Sequence, residues 1–231
     1  MRISQPSLEQ FSPQSLQAFI RRLEAETKRR RDTNRLKFYA PYDKQREFHA
    51  LGSVKRERLL MASNRFGKTQ CGAAELAIHL TGRYPDWWEG KRFDHPIKAW
   101  ASGVTSESTR DVVQEKLFGP PSRVEDQGTG FIPKEAIEDT SPARGIADAL
   151  DTVSVAHVSG GFSTLQFKSY ERGREKWQGS ALHVLWMDEE PPMDIYMEGL
   201  TRTNETKGIV YLTFTPLLGM SDVVMRFLNG E

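Results

Sequence analysis

A single cysteine, Cys71, stands in 231 residues, which excludes an intrachain disulfide framework and any zinc site built on several thiolates. No apolar run approaches the roughly 20 residues of a membrane-spanning helix. The opening MRISQPSLEQF lacks the basic-then-apolar pattern of a signal peptide. Net charge is also nearly missing: 32 Lys plus Arg face 31 Asp plus Glu, so any grip on a polyanion has to come from a local patch. The five histidines, His49, His79, His95, His157 and His183, lack ligand spacing and read as structural or exposed. There is no fixed-period repeat and no low-complexity segment. What remains is the composition of a soluble, folded protein of a reducing compartment, 38% hydrophobic and 27% charged, with a core large enough for one α/β domain.

The first forty residues differ from the rest. Ser7-Leu8-Glu9-Gln10 has the form of a capping box, and Ser12-Pro13 offers a second N-cap with proline at the first helical position. Leu16, Phe19, Ile20 and Leu23 follow helical spacing and predict an amphipathic helix with one apolar stripe. It ends in four cations, Lys28 to Arg31, which either complement the helix dipole or meet DNA phosphates or an acidic partner. Beyond Pro41, strand-like and helix-like segments alternate. Strands are expected at Leu59–Ala62, Ile97–Ala101, Leu182–Met187 and Ile209–Phe214, and a hairpin joins Val153–Val158 to Phe162–Phe167 through Ser159-Gly160-Gly161. Helices are expected after residue 68, from a cap at Ser106, over Met193–Leu200 and over Val223–Leu228, with a loop from Gly119 to Gly130. This alternation predicts an α/β fold with a mostly parallel central sheet and helices on both faces.

The segment Ala62-Ser63-Asn64-Arg65-Phe66-Gly67-Lys68-Thr69-Gln70 has the spacing of a Walker A loop, with Ala62 in place of the usual first glycine. A strand leads into the turn and an alanine-rich helix leaves it, so backbone amides and the positive helix end converge on one point where phosphate binds. Lys68 is then placed to reach the β- and γ-phosphates, and the Thr69 hydroxyl to coordinate Mg²⁺. Gly67 lets the backbone approach the anion without a Cβ in the way. Cys71, two residues into the helix, reads as a small buried residue.

Hydrolysis needs a second acid on the metal and a group that activates water. Asp188 and Glu189, at the end of the apolar run LHVLWM, supply both: Asp188 for Mg²⁺, Glu189 as general base, with Glu190 beside them. A base directly after the metal-binding acid indicates the P-loop branch with additional strands and a catalytic glutamate. The strands at Ile97–Ala101 and around the hairpin fit between the two motifs in that branch. Thr213 and Thr215, in TFTP at the end of the next strand, are hydroxyls that could sense the γ-phosphate and pass its loss on. Upstream, Gln45 has a donor and an acceptor for an adenine edge, and Tyr39 or Tyr42 could stack on the ring.

Taken together, PYDKQREFH, SNRFGKT, VLWMDEE and TFTP resemble, in that order and over about residues 38 to 220, the ATPase domain of the large terminase subunit of tailed bacteriophages. The segments GRYPDWWEG and FKSYERGREKWQGS share the flavour of that family. The resemblance implies ATP hydrolysis with Mg²⁺, coupled to translocation of double-stranded DNA by a homo-oligomeric ring. That ring docks on the portal protein of a procapsid in the host cytoplasm, and a small terminase subunit chooses the DNA. It also implies a division into a basic helical extension, 1–37, and a P-loop ATPase domain, 38–231.

Two departures stand out. Many members place an arginine directly after the first serine of the loop, where this chain has Asn64 and, one position later, Arg65. Either Arg65 substitutes in cis, or a neighbouring subunit supplies the charge, with Arg110, Arg172 and Arg174 as open candidates. Members also continue into a nuclease domain, for which too few residues follow Pro216; the expectation is a chain without nuclease activity, either an excised domain or a shortened protein. A helicase- or recombinase-type ATPase and a nucleotide-gated binding module without turnover are the competing readings. Glu189 speaks against the binder, which has no use for a water-activating acid.

Overall fold

A computed structural model of the chain describes residues 13–63, 65–217 and 219–229; the expected capping box at Ser7–Gln10, the cap at Ser12 and the loop residue Asn64 lie outside them. Helix α1 (Pro13–Thr33) carries the predicted stripe, with Phe19, Ile20 and Leu23 still about half exposed. Part of its basic end is neutralised locally, because Arg29 and Arg30 both pair with Glu26, at 3.0 and 2.9 Å. Helix α2 (Asp43–Leu51) precedes β1 (Glu57–Met61), and α3 (Lys68–Thr81) leads to β2 (Lys98–Gly103).

After β2 the chain makes three helical pieces in succession: α4 (Ser106–Ser108), a π-helical stretch Thr109–Gln114, and α5 (Glu115–Phe118). Their cap is Thr105 and not Ser106: the Thr105 hydroxyl accepts the Ser108 N–H while Ser108 Oγ accepts the Thr105 N–H, so the reciprocal box starts one residue earlier than expected. The hairpin forms as β4 (Leu150–Ala156) and β5 (Phe162–Ser169), and a further strand, β3 (Ile137–Pro142), pairs antiparallel with β4 where the sequence announced nothing. β6 (Val184–Asp188), α6 (Met193–Arg202), β7 (Ile209–Phe214) and α7 (Asp222–Asn229) complete the chain.

The seven strands form one sheet in the order β1-β7-β6-β2-β5-β4-β3. β1, β7, β6, β2 and β5 run parallel, and β4 and β3 extend the far edge antiparallel. Alternating residues feed two cores. Ala99, Ala101, Val184, Trp186, Ile209 and Tyr211 face α3, whereas Trp100, Leu185, Met187, Val210, Leu212 and Phe214 face α6 and α7.

α3 lies close on the sheet because the residues beneath it are small: Ala73, Ala74 and Ala77 are fully buried, and the Tyr211 hydroxyl donates to the Gly72 carbonyl at 2.9 Å. A Cβ on Gly72 would come within 2.5 Å of the Trp186 indole. Gly72→Ala is therefore expected to cost about 1–3 kcal/mol through overpacking, read as a lower midpoint in urea unfolding. An unchanged midpoint would show that the helix does not sit on the indole.

Cys71 is buried at this interface, and burial pushes its thiol far above the ordinary range, as befits a packing residue rather than a nucleophile. Among the described residues no helix is long and apolar enough to cross a membrane.

Candidate nucleotide site

The chain leaves β1 at Met61 and enters α3 at Lys68, so the connecting loop lies at the C-terminal edge of the parallel strands, where open α/β sheets bind ligands. Gly67 caps α3 in the left-handed region, φ +70°, and a Cβ there would stand 3.2 Å from Gln45 Nε2. Arg65 is also left-handed at φ +69° although it carries a side chain. Such backbone is sparsely populated and persists where the surrounding structure holds it. The Lys68 ammonium is largely buried and donates to the Ser63 carbonyl (3.0 Å) and to Thr215 Oγ1 (2.8 Å), spanning the loop to the end of β7. Thr215 Oγ1 in turn lies 2.9 Å from the Ala62 carbonyl. Ser63, Arg65, Phe66 and Gln70 are exposed around this cradle.

The Thr69 hydroxyl meets Asp188 directly, at 3.1 Å from Oδ1 and 3.2 Å from Oδ2. Asp188 closes β6 and is buried; loss of hydration pushes its carboxyl up to about 7, against the opposing hydrogen bond from Thr213. A carboxylate so buried ionises fully at neutral pH when a cation compensates it. With the Thr69 hydroxyl it makes a hard oxygen pair of the sort Mg²⁺ accepts, the rest of the shell coming from phosphate and water. Among the described residues no cluster of three or more His, Cys, Asp or Glu could hold a metal without such help.

The neighbouring Glu189 turns into the left-handed region at φ +61°, which swings its side chain off the strand direction and onto the exposed rim. Burial raises its carboxyl above the usual range while the Lys68 charge lowers it. Among the described residues its carboxylate has no hydrogen-bond partner, whereas Glu190 accepts the Ser221 hydroxyl ahead of α7.

The remaining sequence candidates fall in different places. Thr213 is fully buried: its oxygen accepts the Trp186 indole N–H at 2.7 Å and its hydroxyl donates to Asp188 Oδ1 at 2.7 Å, so it addresses the acid from inside the sheet. Gln45 accepts the Tyr42 N–H (3.1 Å) and donates to the Gly67 carbonyl (3.2 Å), bracing the loop. Tyr42 is exposed, whereas Tyr39 is largely buried, packed among His49, Trp87 and Phe131, at the edge of a cavity that Gln70 also lines.

Arg110, Arg172 and Arg174 follow β2 and β5, beyond β6 from the loop, and do not meet Lys68. Arg110 pairs with Asp111 at 2.7 Å, Arg174 with Glu198 at 3.1 Å, and Arg172 donates to Ser106 Oγ at 3.2 Å. The strands at Ile97–Ala101 and the hairpin thus lie between the two motifs along the chain only. In the sheet it is β7 that separates β1 from β6.

Two elements beside the loop went unannounced by the sequence. One is a buried network: Glu75 of α3 takes both terminal nitrogens of Arg58 from β1 (Nη1–Oε2 3.2 Å), while His49 Nδ1 from α2 lies 2.7 Å from its Oε2. The other is Tyr170, whose hydroxyl reaches the carbonyls of Asp188 and Glu189. An isolated Glu four residues beyond a P-loop Cys and a Tyr at a strand end carry no local pattern that reveals either contact.

A mostly parallel sheet with a strand inserted between the loop strand and the acid strand, and Thr69 meeting Asp188 across it, defines the α/β fold of the P-loop NTPase class with an additional strand. Residues 59–231 match the family described as terminase large subunit, T4likevirus-type, N-terminal. The chain is 44% identical over 217 residues to the terminase large subunit of Salmonella phage P22, covering 87% of this chain and 44% of that protein. It is 27% identical over 216 residues to the terminase large subunit of Enterobacteria phage LP7, covering 87% and 45%.

Two crystal forms of the large terminase from a thermophilic bacteriophage share the fold at a TM-score of 0.50. One is 14% identical over 76% of this chain and 39% of that one. The other, in complex with ADP, is 13% identical over 80% and 44%. This chain belongs to the terminase large subunit family, and it spans less than half the length of the curated relatives it matches.

Proposed function

We propose that this chain binds ATP with Mg²⁺ at the loop between β1 and α3 and hydrolyses it, and that residues 38–231 act as the ATPase domain of a DNA-packaging motor with 1–37 as a basic helical extension. The observation that carries the reading is the Thr69–Asp188 contact, which brings the loop and the acid strand together across β7. Backbone amides at the start of α3, the positive end of its dipole and the Lys68 ammonium hold the phosphates. In this reading Lys68 exchanges its present bonds to Ser63 and Thr215 for phosphate oxygens, so Thr215 reports the occupancy of the loop to β7. Thr69 and Asp188 hold Mg²⁺, which neutralises charge on the β- and γ-oxygens when bound. Glu189, on the rim and with no hydrogen bond to its carboxylate among the described residues, orients the attacking water and takes its proton. Phe66, Gly67, Gln70 and Ser63 shape the cradle, and exposed Tyr42 is the side chain available to an adenine ring, with Gln45 beside it.

The transition-state charge falls to Arg65 in cis or to an arginine of a neighbouring copy in a ring. Of the three candidates Arg172 fits best, because Asp111 and Glu198 already neutralise Arg110 and Arg174, while no carboxylate lies within ion-pair distance of Arg172 among the described residues. The wider assignment is part of the same proposal, with family membership as its support: double-stranded DNA as the translocated substrate, the portal protein and a small terminase subunit as partners, and the host cytoplasm as the place of action.

The assignment of the loop is tested by Lys68→Ala. Nucleotide affinity and phosphate release are expected to fall together, affinity by at least tenfold, in a titration with a fluorescent ATP analogue run beside a turnover assay. Retained turnover would remove the loop from the mechanism.

A further inference from the structure

Tyr170 follows β5 directly and is buried, and its one hydroxyl proton is shared between two successive carbonyl oxygens, that of Asp188 at 2.9 Å and that of Glu189 at 3.1 Å. The two neighbouring carbonyls converge on one donor at a turn where Glu189 is left-handed, a sparsely populated conformation for a side-chain-bearing residue. On the opposite side the Glu189 N–H donates to the Thr213 carbonyl at 3.1 Å. The backbone at 189 is thus gripped from β5 on one flank and from β7 on the other.

We propose that Tyr170 is a positioning residue for the base: its hydroxyl holds the turn at Glu189 in the form that directs the carboxylate to the rim beside the loop. This rests on the reading of Glu189 as general base. Without the hydroxyl, the buried Asp188 carbonyl and the part-buried Glu189 carbonyl lose this donor, and the turn relaxes toward ordinary extended backbone, which redirects the side chain. The phenol is itself anchored by packing, with its ring 5.9 Å from Trp177 and Trp177 in turn 5.8 Å from Trp100. Tyr170→Phe retains that packing and deletes the donor alone. Lys68, Thr69 and the loop amides do not touch Tyr170, and its bond to Asp188 is to the main-chain carbonyl rather than to the carboxylate that meets Thr69, so nucleotide binding is expected to change little.

The experiment is a double-mutant cycle on the full chain with Tyr170→Phe and Glu189→Gln, reading kcat from phosphate release and Kd from nucleotide titration. Tyr170→Phe is expected to lower kcat about 10- to 100-fold with Kd within about twofold, and to add no further loss in the Glu189→Gln background. A Tyr170→Phe enzyme with wild-type kcat would overturn the proposal. So would a parallel loss of kcat and affinity, or an equal loss in both backgrounds, since either describes a general structural role. If Glu189→Gln alone hydrolyses ATP at the wild-type rate, the base assignment fails first, and the positioning role falls with it.

Discussion

Glu189→Gln is expected to bind ATP with wild-type affinity and to hydrolyse it about 10²–10⁴ times more slowly, the range for loss of a general base. Gln keeps the volume and hydrogen-bonding shape of Glu and removes only the ability to accept a proton from water. The backbone that makes the left-handed turn, with its N–H on Thr213 and its carbonyl on Tyr170, is left as it is. Nothing in the phosphate cradle is altered, so a fluorescent-nucleotide titration should superimpose on wild type while phosphate release collapses. Glu190→Gln serves as the internal control: that side chain is engaged by Ser221, and its replacement is expected to leave the rate within a few-fold. A fully active Glu189→Gln, or a dead Glu190→Gln, would transfer the role to the second acid.

Arg58→Met should destabilise the fold by about 3–5 kcal/mol, because it leaves the fully buried Glu75 carboxylate without its ion partner. Burial by itself would raise the Glu75 carboxyl, but the Arg58 charge, the hydrogen bond to His49 and the nearby His79 ring outweigh it and hold the group well below its usual 4.5. A carboxyl depressed in the folded state adds stability that is present above its unfolded value and is lost as pH falls through the folded one. His79 acts in the same direction. Burial keeps it neutral and below the usual 6.5, so acidification below 6.5 favours the unfolded chain, which takes up the proton.

Wild-type stability is therefore expected to decline as pH drops below 6.5 and to fall more steeply once it passes below 4.5, down to the depressed Glu75 value. In Arg58→Met burial dominates at Glu75 and raises its carboxyl, so the folded chain takes up that proton first and the Glu75 part of the acid loss is expected to vanish or reverse, acidification recovering part of the lost stability. Urea unfolding across roughly pH 3 to 8 measures both effects. An Arg58→Met protein with wild-type stability and an unmoved acid limb would mean that the pair contributes nothing net. The pair sits where it matters for the site: it ties α2, β1 and α3 around the base of the loop, and Arg58 also stacks on Phe48 at 4.8 Å.

How much of this was legible beforehand varied with the range of the interaction. The loop was readable because each of its requirements is local: an apolar strand into residue 61, glycine at a left-handed position, and lysine and threonine opening an alanine-rich helix. The carboxylates were readable for the same reason, as acids ending a continuous apolar run. Misreadings occurred where neighbours in space decide. Thr105 displaced Ser106 as cap because Glu171 takes the Ser106 N–H and hydroxyl instead. The π-helical stretch at Thr109–Gln114 leaves no mark in periodicity, and β3 pairs with β4 at a bulged edge with little apolar alternation. Tyr39 and Tyr42, three residues apart and alike in sequence, separate into a packed ring and an exposed one because Tyr39 faces Trp87 and Phe131.

By itself, then, the amino-acid order determined which side chains stand together, namely a glycine turn opening into Lys68 and Thr69, the acids Asp188 and Glu189 at a strand end and hydroxyls on a later strand, because each depends on residues adjacent along the chain. Only the tertiary structure decided their partnership. It inserted β7 between β1 and β6, turned Thr213 inward to Asp188 while Thr215 met Lys68, and set Tyr170 against the backbone of Glu189. Strand order is chosen by how whole faces bury against helices, a quantity summed over the entire sheet, and no single segment carries it.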